Sequence, residues 1–236
     1  MPSASPDSVS PPHDPRDGAD GDITFRQARR RDLPQIAEMF FRAFPESVEH
    51  IVGKSKVPAR GIADAFAILQ DSEPAAMRVA AVGERVVGYI FAPHHLTGVW
   101  RVAILRGHLF RLAWRWITGR YGIGPRAVLR VVTNNLSAVR SARDAEVECD
   151  ARIYSVAVDP DYQGRGLGTR LTLEGLHYLR SVGADRVRLE VRPENLSARH
   201  VYEKLGFRTH ERMTEDSQGK WLIMFKDLSS PDEPPA

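Results

Sequence analysis

The sequence contains a single cysteine among its 236 residues, Cys149, so an internal disulfide framework is excluded and a reducing compartment is favoured. It contains no apolar run of membrane-spanning length, because arginine interrupts every candidate. Residues 1–22 lack the basic start and apolar core of a signal peptide. No His, Cys and Asp residues have metal-ligand spacing, so no metal site is predicted. These absences predict a soluble, cytoplasmic protein.

Charge and length narrow the choice further. The formal net charge is +3, a mild excess that favours anionic ligands without requiring nucleic acid. Both ends of the chain, 1–22 and 229–236, are rich in Pro, Ser and Asp and are predicted to be disordered tails. The residues between them, 23–228, have the size of one ordinary domain.

The periodicity of apolar residues predicts a mixed sheet flanked by helices, of the α/β (α+β) class. The predicted order is one strand, two helices, three strands with an insertion, then helix, strand, helix, strand and strand. One predicted helix is capped by Asp32 and ends at Phe44, and the other helices are 58–69, 166–182 and 195–205. The predicted strands are 23–28, 77–82, 86–91, 152–158, 187–191, 207–213 and 221–225.

A predicted strand runs into a glycine-rich turn, Gln163-Gly-Arg-Gly-Leu-Gly168, that opens a helix. The first N–H groups of a helix have no partner within the helix and, with the helix dipole, attract phosphate oxygens. Gly164, Gly166 and Gly168 let the backbone approach a bulky anion, and Arg165 adds a charged donor. On their own the glycines fit an ordinary strand-to-helix turn equally well. Their spacing disfavours a dinucleotide fingerprint and excludes a kinase-type P-loop.

Three segments together resemble a known family, the GNAT acyl-CoA N-acyltransferases. Gln163 to Gly168 resembles the family's Q/R-x-x-G-x-G/A motif, and Val156 to Pro160 resembles its fourth strand. Asn195 to Phe207 resembles its N-x-x-A-x-x-x-Y-x-x-x-G-F helix and turn. The motifs are most similar to those of bacterial ribosomal-protein N-terminal acetyltransferases. The resemblance implies a mixed, mostly antiparallel sheet, with a long insertion between the third and fourth strands.

The resemblance also implies acetyl-CoA as cosubstrate and names the residues that hold it. The backbone of Val156 and Val158, on either side of Ala157, pairs with the pantetheine amides and polarises the acyl carbonyl. Asn195 touches the pantetheine arm. The pyrophosphate is held by the backbone amides of Gln163, Gly164, Arg165, Gly166, Leu167, Gly168 and Thr169.

Acyl transfer to an amine requires a neutral amine, a stabilised oxyanion and a proton for the departing thiolate. By resemblance, Tyr202 places its hydroxyl near the sulfur of coenzyme A and acts as the general acid. The alternative is a half-buried tyrosine that packs under the sheet.

Glu190 is the first candidate for the general base. It lies inside the apolar strand 187–191, where burial would raise its pKa to a useful value. The resemblance supports this role, since the equivalent glutamate of the ribosomal-protein enzymes assists amine deprotonation. An ion pair with Arg188 or Arg192 is an equally good reading. Glu148 and Asp150 are the next candidates for the base, whereas the residues expected to be passive or solvated are Cys149, His177 and His200.

The insertion, 94–150, departs from the family pattern. From His94 to Arg143 the sequence has no Asp or Glu but nine arginines, and it holds three of the four tryptophans. Tryptophan beside arginine suits a membrane interface or an anionic surface, so contact through 98–143 is one expectation. The favoured alternative is a pair of lid helices that covers the sheet and shapes the acceptor pocket. Nucleic-acid binding is not expected, because no reading module is recognised.

The sequence thus predicts an N-acetyltransferase that transfers acetyl from acetyl-CoA to a primary amine of a peptide, an amino sugar or a small molecule. The alternatives are an acyl-CoA-binding regulatory module without turnover and a membrane-surface protein that acts through the basic insertion. The protein is expected to be a monomer or a homodimer.

Overall fold

The computed structural model describes residues 22–45, 59–96, 98–121, 149, 151–216 and 219–229. Within these ranges the helices are α1 (Leu33–Ala43), α2 (Ala59–Ser72), α3 (Val99–Leu105), α4 (His108–Ile117), α5 (Leu167–Ser181) and α6 (Leu196–Lys204). The strands are β1 (Ile23–Gln27), β2 (Met77–Val82), β3 (Arg85–Phe91), β4 (Arg152–Ile153), β5 (Ser155–Val158), β6 (Arg186–Val191), β7 (Arg208–Asp216) and β8 (Gly219–Asp227).

The strands form two four-stranded sheets. One has the order β1-β2-β3-β5 and is antiparallel throughout. The other has the order β4-β6-β8-β7, in which only the β4–β6 pair is parallel. The mixed, mostly antiparallel sheet flanked by helices is therefore confirmed.

The strand predicted at 152–158 is divided between the two sheets. Arg152 and Ile153 pair with β6 in parallel register. From Tyr154 the chain turns to the other sheet, because Tyr154 donates its N–H to the carbonyl of Phe91 at 2.9 Å and Ser155–Val158 then pairs with β3. Beyond Ile153, β5 and β6 consequently diverge and leave a gap between the two sheets.

Two apolar cores lie on opposite faces of the sheets. On one face α5 and α6 cover both sheets, and on the other α1 and α2 cover β2, β3 and β5. Helix α5 approaches β3 closely at Gly175, where an added Cβ would lie 2.8 Å from the Cδ1 of Ile90. This contact fixes the helix that follows the glycine-rich turn against the centre of the sheet.

Helices α3 and α4 form a hairpin within the insertion. The hairpin packs on α2, through ion pairs to Asp64 and Asp71, rather than on the sheet. The expected pair of helices is therefore present, but the expectation that it covers the sheet directly is wrong. Helix α2 already occupies that face.

Several predictions fall on parts of the chain that the structure does not describe. These are most of the tails 1–22 and 229–236, the insertion from residue 122 to 148, and the candidate bases Glu148 and Asp150. Among the described helices, none is long and apolar enough to cross a membrane.

Candidate active site

The edge of β5 that faces the gap carries backbone groups turned away from β3. Asp159, just after the strand, donates its N–H to a β3 carbonyl at 2.9 Å. Because backbone groups alternate in direction along an antiparallel strand, Ala157 also faces β3, whereas the N–H and C=O groups of Val156 and Val158 face the gap. An extended ligand with amide groups can bind such an edge as another strand would.

The glycine-rich turn presents unpaired donors at the start of α5. The first hydrogen bond of the helix runs from the N–H of Arg170 to the carbonyl of Gly166 at 3.1 Å. The N–H groups of Leu167, Gly168 and Thr169 therefore have no partner within the helix. Gly166 has a φ of 74°, which disfavours any side chain, and no atom lies within 4 Å of a Cβ added at any of the three motif glycines. The turn thus has both the donors and the space that a phosphate group needs.

The loop before α5 is held by residues that the sequence did not single out. Asp159 is buried, and its carboxylate accepts the N–H of Asp161 at 3.1 Å and a guanidinium N–H of Arg85 at 3.2 Å. The hydrogen bond to Asp159 raises the pKa of Arg85. The guanidinium groups of Arg85 and Arg165 lie 5.3 and 5.1 Å from the ring centre of Tyr162. Arg85 comes from a distant strand, so no local motif could reveal its role.

Gln163 links the strand to the turn. Its side-chain amide donates to the carbonyl of Val158 at 3.1 Å. The carbonyl of Val158 is thus partly used by the chain itself, while the backbone groups of Val156 are still directed to the gap. Gln163 holds the end of β5 in a fixed relation to the glycines that follow.

Helix α6 follows β6 and carries the remaining predicted residues. The side-chain oxygen of Asn195 accepts the N–H of Ala198 at 3.1 Å and so caps the helix, which leaves the amide NH₂ as the group that a ligand can contact.

Tyr202, near the end of α6, is buried, with its ring edge-on to Phe207 at 5.7 Å. Burial raises the pKa of Tyr202 to about 12. Its hydroxyl is protonated at neutral pH, as that of an unburied tyrosine also is, and burial makes it a weaker acid than a tyrosine in water. The same contacts also fit a tyrosine that only packs under the sheet.

Glu190 lies on the opposite face of β6 from Tyr202, because Val187, Leu189 and Val191 face the core under α5 and α6. The expectation that Glu190 is buried is wrong, since its side chain is 42% exposed. Its carboxylate accepts an N–H of the buried Arg188 at 3.1 Å. Glu190 lies on the face of β6 away from the apolar core, where Arg188 is buried but Glu190 is not.

A second arginine lies beside this pair. Arg152 stands next to Arg188 in the register of β4 and β6. Burial and the positive charge of Arg188 lower the pKa of Arg152, and its Nε has no hydrogen-bond partner among the described residues. The face of the sheet next to the gap is therefore cationic around a single carboxylate.

The other chemically active side chains have structural surroundings. The thiol of Cys149 donates to the carbonyl of Arg186 at 2.8 Å, as a passive residue would. His177 and His200 are exposed, as expected. Within the described part of the chain no group of His, Cys, Asp and Glu is arranged to hold a metal ion.

A sequence model of the Acetyltransferase (GNAT) family matches residues 33–207, well over half of the chain. The chain belongs to the GNAT family of acetyltransferases. The divided strand, the gap and the glycine-rich turn are the parts of this GNAT domain to which the motifs in Val156–Phe207 had pointed.

Known relatives agree with this assignment. The mycothiol acetyltransferase of Rhodococcus opacus is 58% identical over 55 residues, which are 23% of this chain and 18% of that protein. The chain thus spans about a fifth of the length of the curated relatives it matches.

Solved structures show the same fold. The ribosomal-protein-S18-alanine N-acetyltransferase from Escherichia coli is 19% identical with a TM-score of 0.50, over 89% of this chain and 97% of that one. The putative acetyltransferase yncA from Salmonella typhimurium, with its cofactor acetyl-CoA, is 18% identical with a TM-score of 0.54, over 91% and 98%. The chain therefore resembles a ribosomal-protein acetyltransferase in fold as well as in its sequence motifs.

Proposed function

We propose that the protein is an N-acetyltransferase that uses acetyl-CoA to acetylate a primary amine. The observation that supports this best is the gap between β5 and β6, which ends at the unpaired amides of the glycine-rich turn. An extended amide-bearing arm with a pyrophosphate at one end fits both parts at once. Acetyl-CoA has that form, and when bound it supplies an activated acetyl group as a thioester.

The chain contributes binding groups along the whole length of the gap. The amides of Leu167, Gly168 and Thr169 bind the pyrophosphate, and those of Val156 and Val158 bind the pantetheine arm. Arg165 brings positive charge to the phosphate end. The predicted contacts of Gln163, Gly164, Gly166, Ala157 and Asn195 belong to this proposal.

Two side chains on opposite faces of β6 divide the proton transfers. The family resemblance assigns Tyr202, which carries its proton at neutral pH, to protonate the leaving thiolate. Glu190 is exposed beside Arg188 and is suited to take a proton from an amine that arrives from solvent. The chemistry needs one group of each kind.

The acceptor belongs to the same proposal. A peptide, an amino sugar and a small-molecule amine all remain predictions, and the name of the curated relatives adds the amine substrate of mycothiol acetyltransferases to the panel. Cytoplasmic location, a monomeric or homodimeric state and contact of 98–143 with an anionic surface also stay predictions.

The test is a thiol-release screen with acetyl-CoA and the full chain, across peptides, polyamines, aminoglycosides, amino sugars and the amine substrate of mycothiol acetyltransferases. An amine that accelerates thiol release and gains the mass of an acetyl group supports the proposal. If calorimetry shows coenzyme A binding but no amine in the panel is acetylated, the regulatory module without turnover is the better description.

A further inference from the structure

Helix α4 is amphipathic with its polar face turned inward. His108 is 4% exposed, and its Nε2 lies 2.7 Å from the carboxylate of Asp71 on α2. Two turns later, Arg115 donates to both oxygens of Asp64 at 2.5 Å. These two contacts fix the polar side of α4 against α2, so the apolar side is turned to solvent.

Seven of the eleven exposed large apolar side chains among the described residues lie on the α3–α4 hairpin. Phe110, Trp114 and Ile117 are 75%, 57% and 71% exposed on α4. Scattered apolar side chains are normal on a protein surface, whereas a set confined to one hairpin marks a binding surface. We call it the hairpin surface, and its members are Trp100, Ile104, Leu105, Leu109, Phe110, Trp114 and Ile117.

The charged residues within the hairpin itself have one sign. Between Gly98 and Tyr121 the sequence has five arginines and no Asp or Glu. Arg101, Arg111 and Arg120 are exposed. The surface is thus apolar in the middle and cationic at its margin, which is the composition of a helix that lies in the headgroup region of an anionic bilayer.

A cavity of about 500 Å³ lies where α4 meets α1 and α2. Its charged lining is strongly basic, and its one acidic residue, Asp64, is already bound by Arg115. Among the described residues, Arg60, Arg111 and Arg120 have no carboxylate partner. Arg111 and Arg115 of α4 line the cavity, so α4 carries the cavity on its polar side and part of the hairpin surface on its apolar side. The charged residues that line it are Arg30, Arg60, Asp64, Arg111, Arg115 and Arg120.

We propose that the hairpin surface binds an anionic lipid bilayer, with a lipid phosphate in the arginine-lined cavity. The hairpin surface and the cavity would bind different parts of the same lipid. The apolar side chains contact the acyl chains, and the arginines bind the phosphate. Helices of 7 and 10 residues are too short to span a bilayer and lie parallel to its surface. Trp100 and Trp114 are suited to the boundary between the acyl chains and the lipid headgroups.

Charge argues against a second copy of the chain as the occupant. A symmetric dimer through the hairpin surface would bring the same patch of each copy together, so Arg101, Arg111 and Arg120 would face their own equivalents. Like charges in a contact oppose association, and no acidic residue between Gly98 and Tyr121 compensates them.

The test is sedimentation of the full chain with vesicles of phosphatidylcholine alone and of phosphatidylcholine with an equal amount of phosphatidylglycerol. We expect binding to the anionic vesicles and little to the neutral ones. Phe110→Ser with Trp114→Ser should reduce the bound fraction at least tenfold, and Arg60→Gln with Arg111→Gln and Arg120→Gln should do so too. All five side chains are exposed or line an open cavity, so the variants should fold.

Matched controls are Leu173→Ser, an exposed leucine on α5, and Arg208→Gln, an exposed arginine on β7; both should bind like the parent chain. Equal binding to neutral and anionic vesicles, or binding of glycerol phosphate in the cavity without vesicle binding, would overturn the proposal. So would a dimer in analytical ultracentrifugation that Phe110→Ser dissociates. None of these readouts depends on acetyl transfer.

Discussion

The two halves of the molecule that bear on function use opposite arrangements of polar and apolar groups. In the segment from β5 to α6, large apolar side chains are buried and the backbone supplies the binding groups, at the edge of β5 and the start of α5. In the α3–α4 hairpin, polar side chains are directed inward to Asp64 and Asp71, and apolar ones point outward. A backbone site accepts one ligand of fixed shape, whereas a surface of exposed side chains accepts an extended partner.

The two regions should therefore respond separately to substitution. Changes between β5 and α6 should alter coenzyme A binding or turnover and leave vesicle binding unaffected. Changes in the hairpin should do the reverse. A variant in one region that altered both properties would show that the regions are coupled.

The largest effect is expected for Tyr202→Phe, which removes the hydroxyl but keeps the ring packed on Phe207. Turnover should fall by about 10²–10⁴-fold, as general acid assistance is typically worth. The affinity for acetyl-CoA, measured by calorimetry, should stay the same. Unchanged turnover would assign Tyr202 to packing alone.

The second-largest effect is expected for Glu190→Gln, which should lower turnover by about 10²-fold. The expected loss is smaller because Glu190 is exposed and water can replace part of its role. The decrease should be largest for amines of high pKa, because these depend most on a group that removes their proton. Glu203→Gln, an exposed glutamate on α6, is the matched control. If the two variants have the same rate, Glu190 is a partner of Arg188 and not the base.

Gly166→Val tests whether the glycine-rich turn binds phosphate. Gly98→Val, the same substitution just before α3, is its control. A β-branched residue cannot adopt a φ of 74° without strain, so the turn must change shape and withdraw its amides. Coenzyme A affinity should fall about tenfold or more, which corresponds to at least about 1.4 kcal/mol. Gly98→Val, at an open position just before α3 with a φ of −80°, should leave that affinity unaltered. Equal affinities in both variants would refute the phosphate site.

The smallest effect is expected for Asp71→Asn. This substitution should lower the stability of the contact between α2 and the hairpin and leave the rest of the molecule unchanged. It removes the carboxylate shared by His108, Arg30 and Arg106, and we expect a loss of about 1 kcal/mol in the free energy of unfolding. The melting temperature should fall by roughly 2–4 °C, measured by calorimetry, without a change in coenzyme A affinity.

The pH dependence gives an independent check on Asp71. Burial alone would raise the pKa of Asp71, but hydrogen bonds from His108 and Arg30 and the nearby guanidinium charges outweigh it and lower the pKa. The contribution of Asp71 to stability is therefore present above the ordinary aspartate pKa of about 4 and lost as the pH falls through the lowered value. Asp71→Asn should lose less stability than the parent chain over that acidic range, and identical acid curves would contradict the assignment.

The sequence was most informative where function depends on backbone conformation. Glycines at fixed spacing after an apolar strand specify a turn with open amides, so the turn before α5 could be predicted without knowledge of the fold. Asn195 was named only through the family resemblance, as a contact of the pantetheine arm, and its role as a helix cap came from the structure.

Properties that depend on distant parts of the chain could not be predicted. Alternation along 187–191 places Glu190 on the face away from the core, but the apolar neighbours suggested burial instead. Arg85 reaches Asp159 only because β3 and β5 are paired, and the hairpin turns its apolar side outward only because α2 supplies two carboxylates. For Arg85 and for the hairpin, the deciding partner is far away in the sequence.

The division of one strand between two sheets has a mechanical consequence. Among the described strands, β4 pairs with β6, and the chain then turns to β3 at Tyr154, so past that point a slot separates β5 from β6. A molecule seated there completes the row of hydrogen bonds from the β5 side. In the proposed complex the pantetheine arm thus adds one strand to the edge of β5, at a place that the described strands leave open.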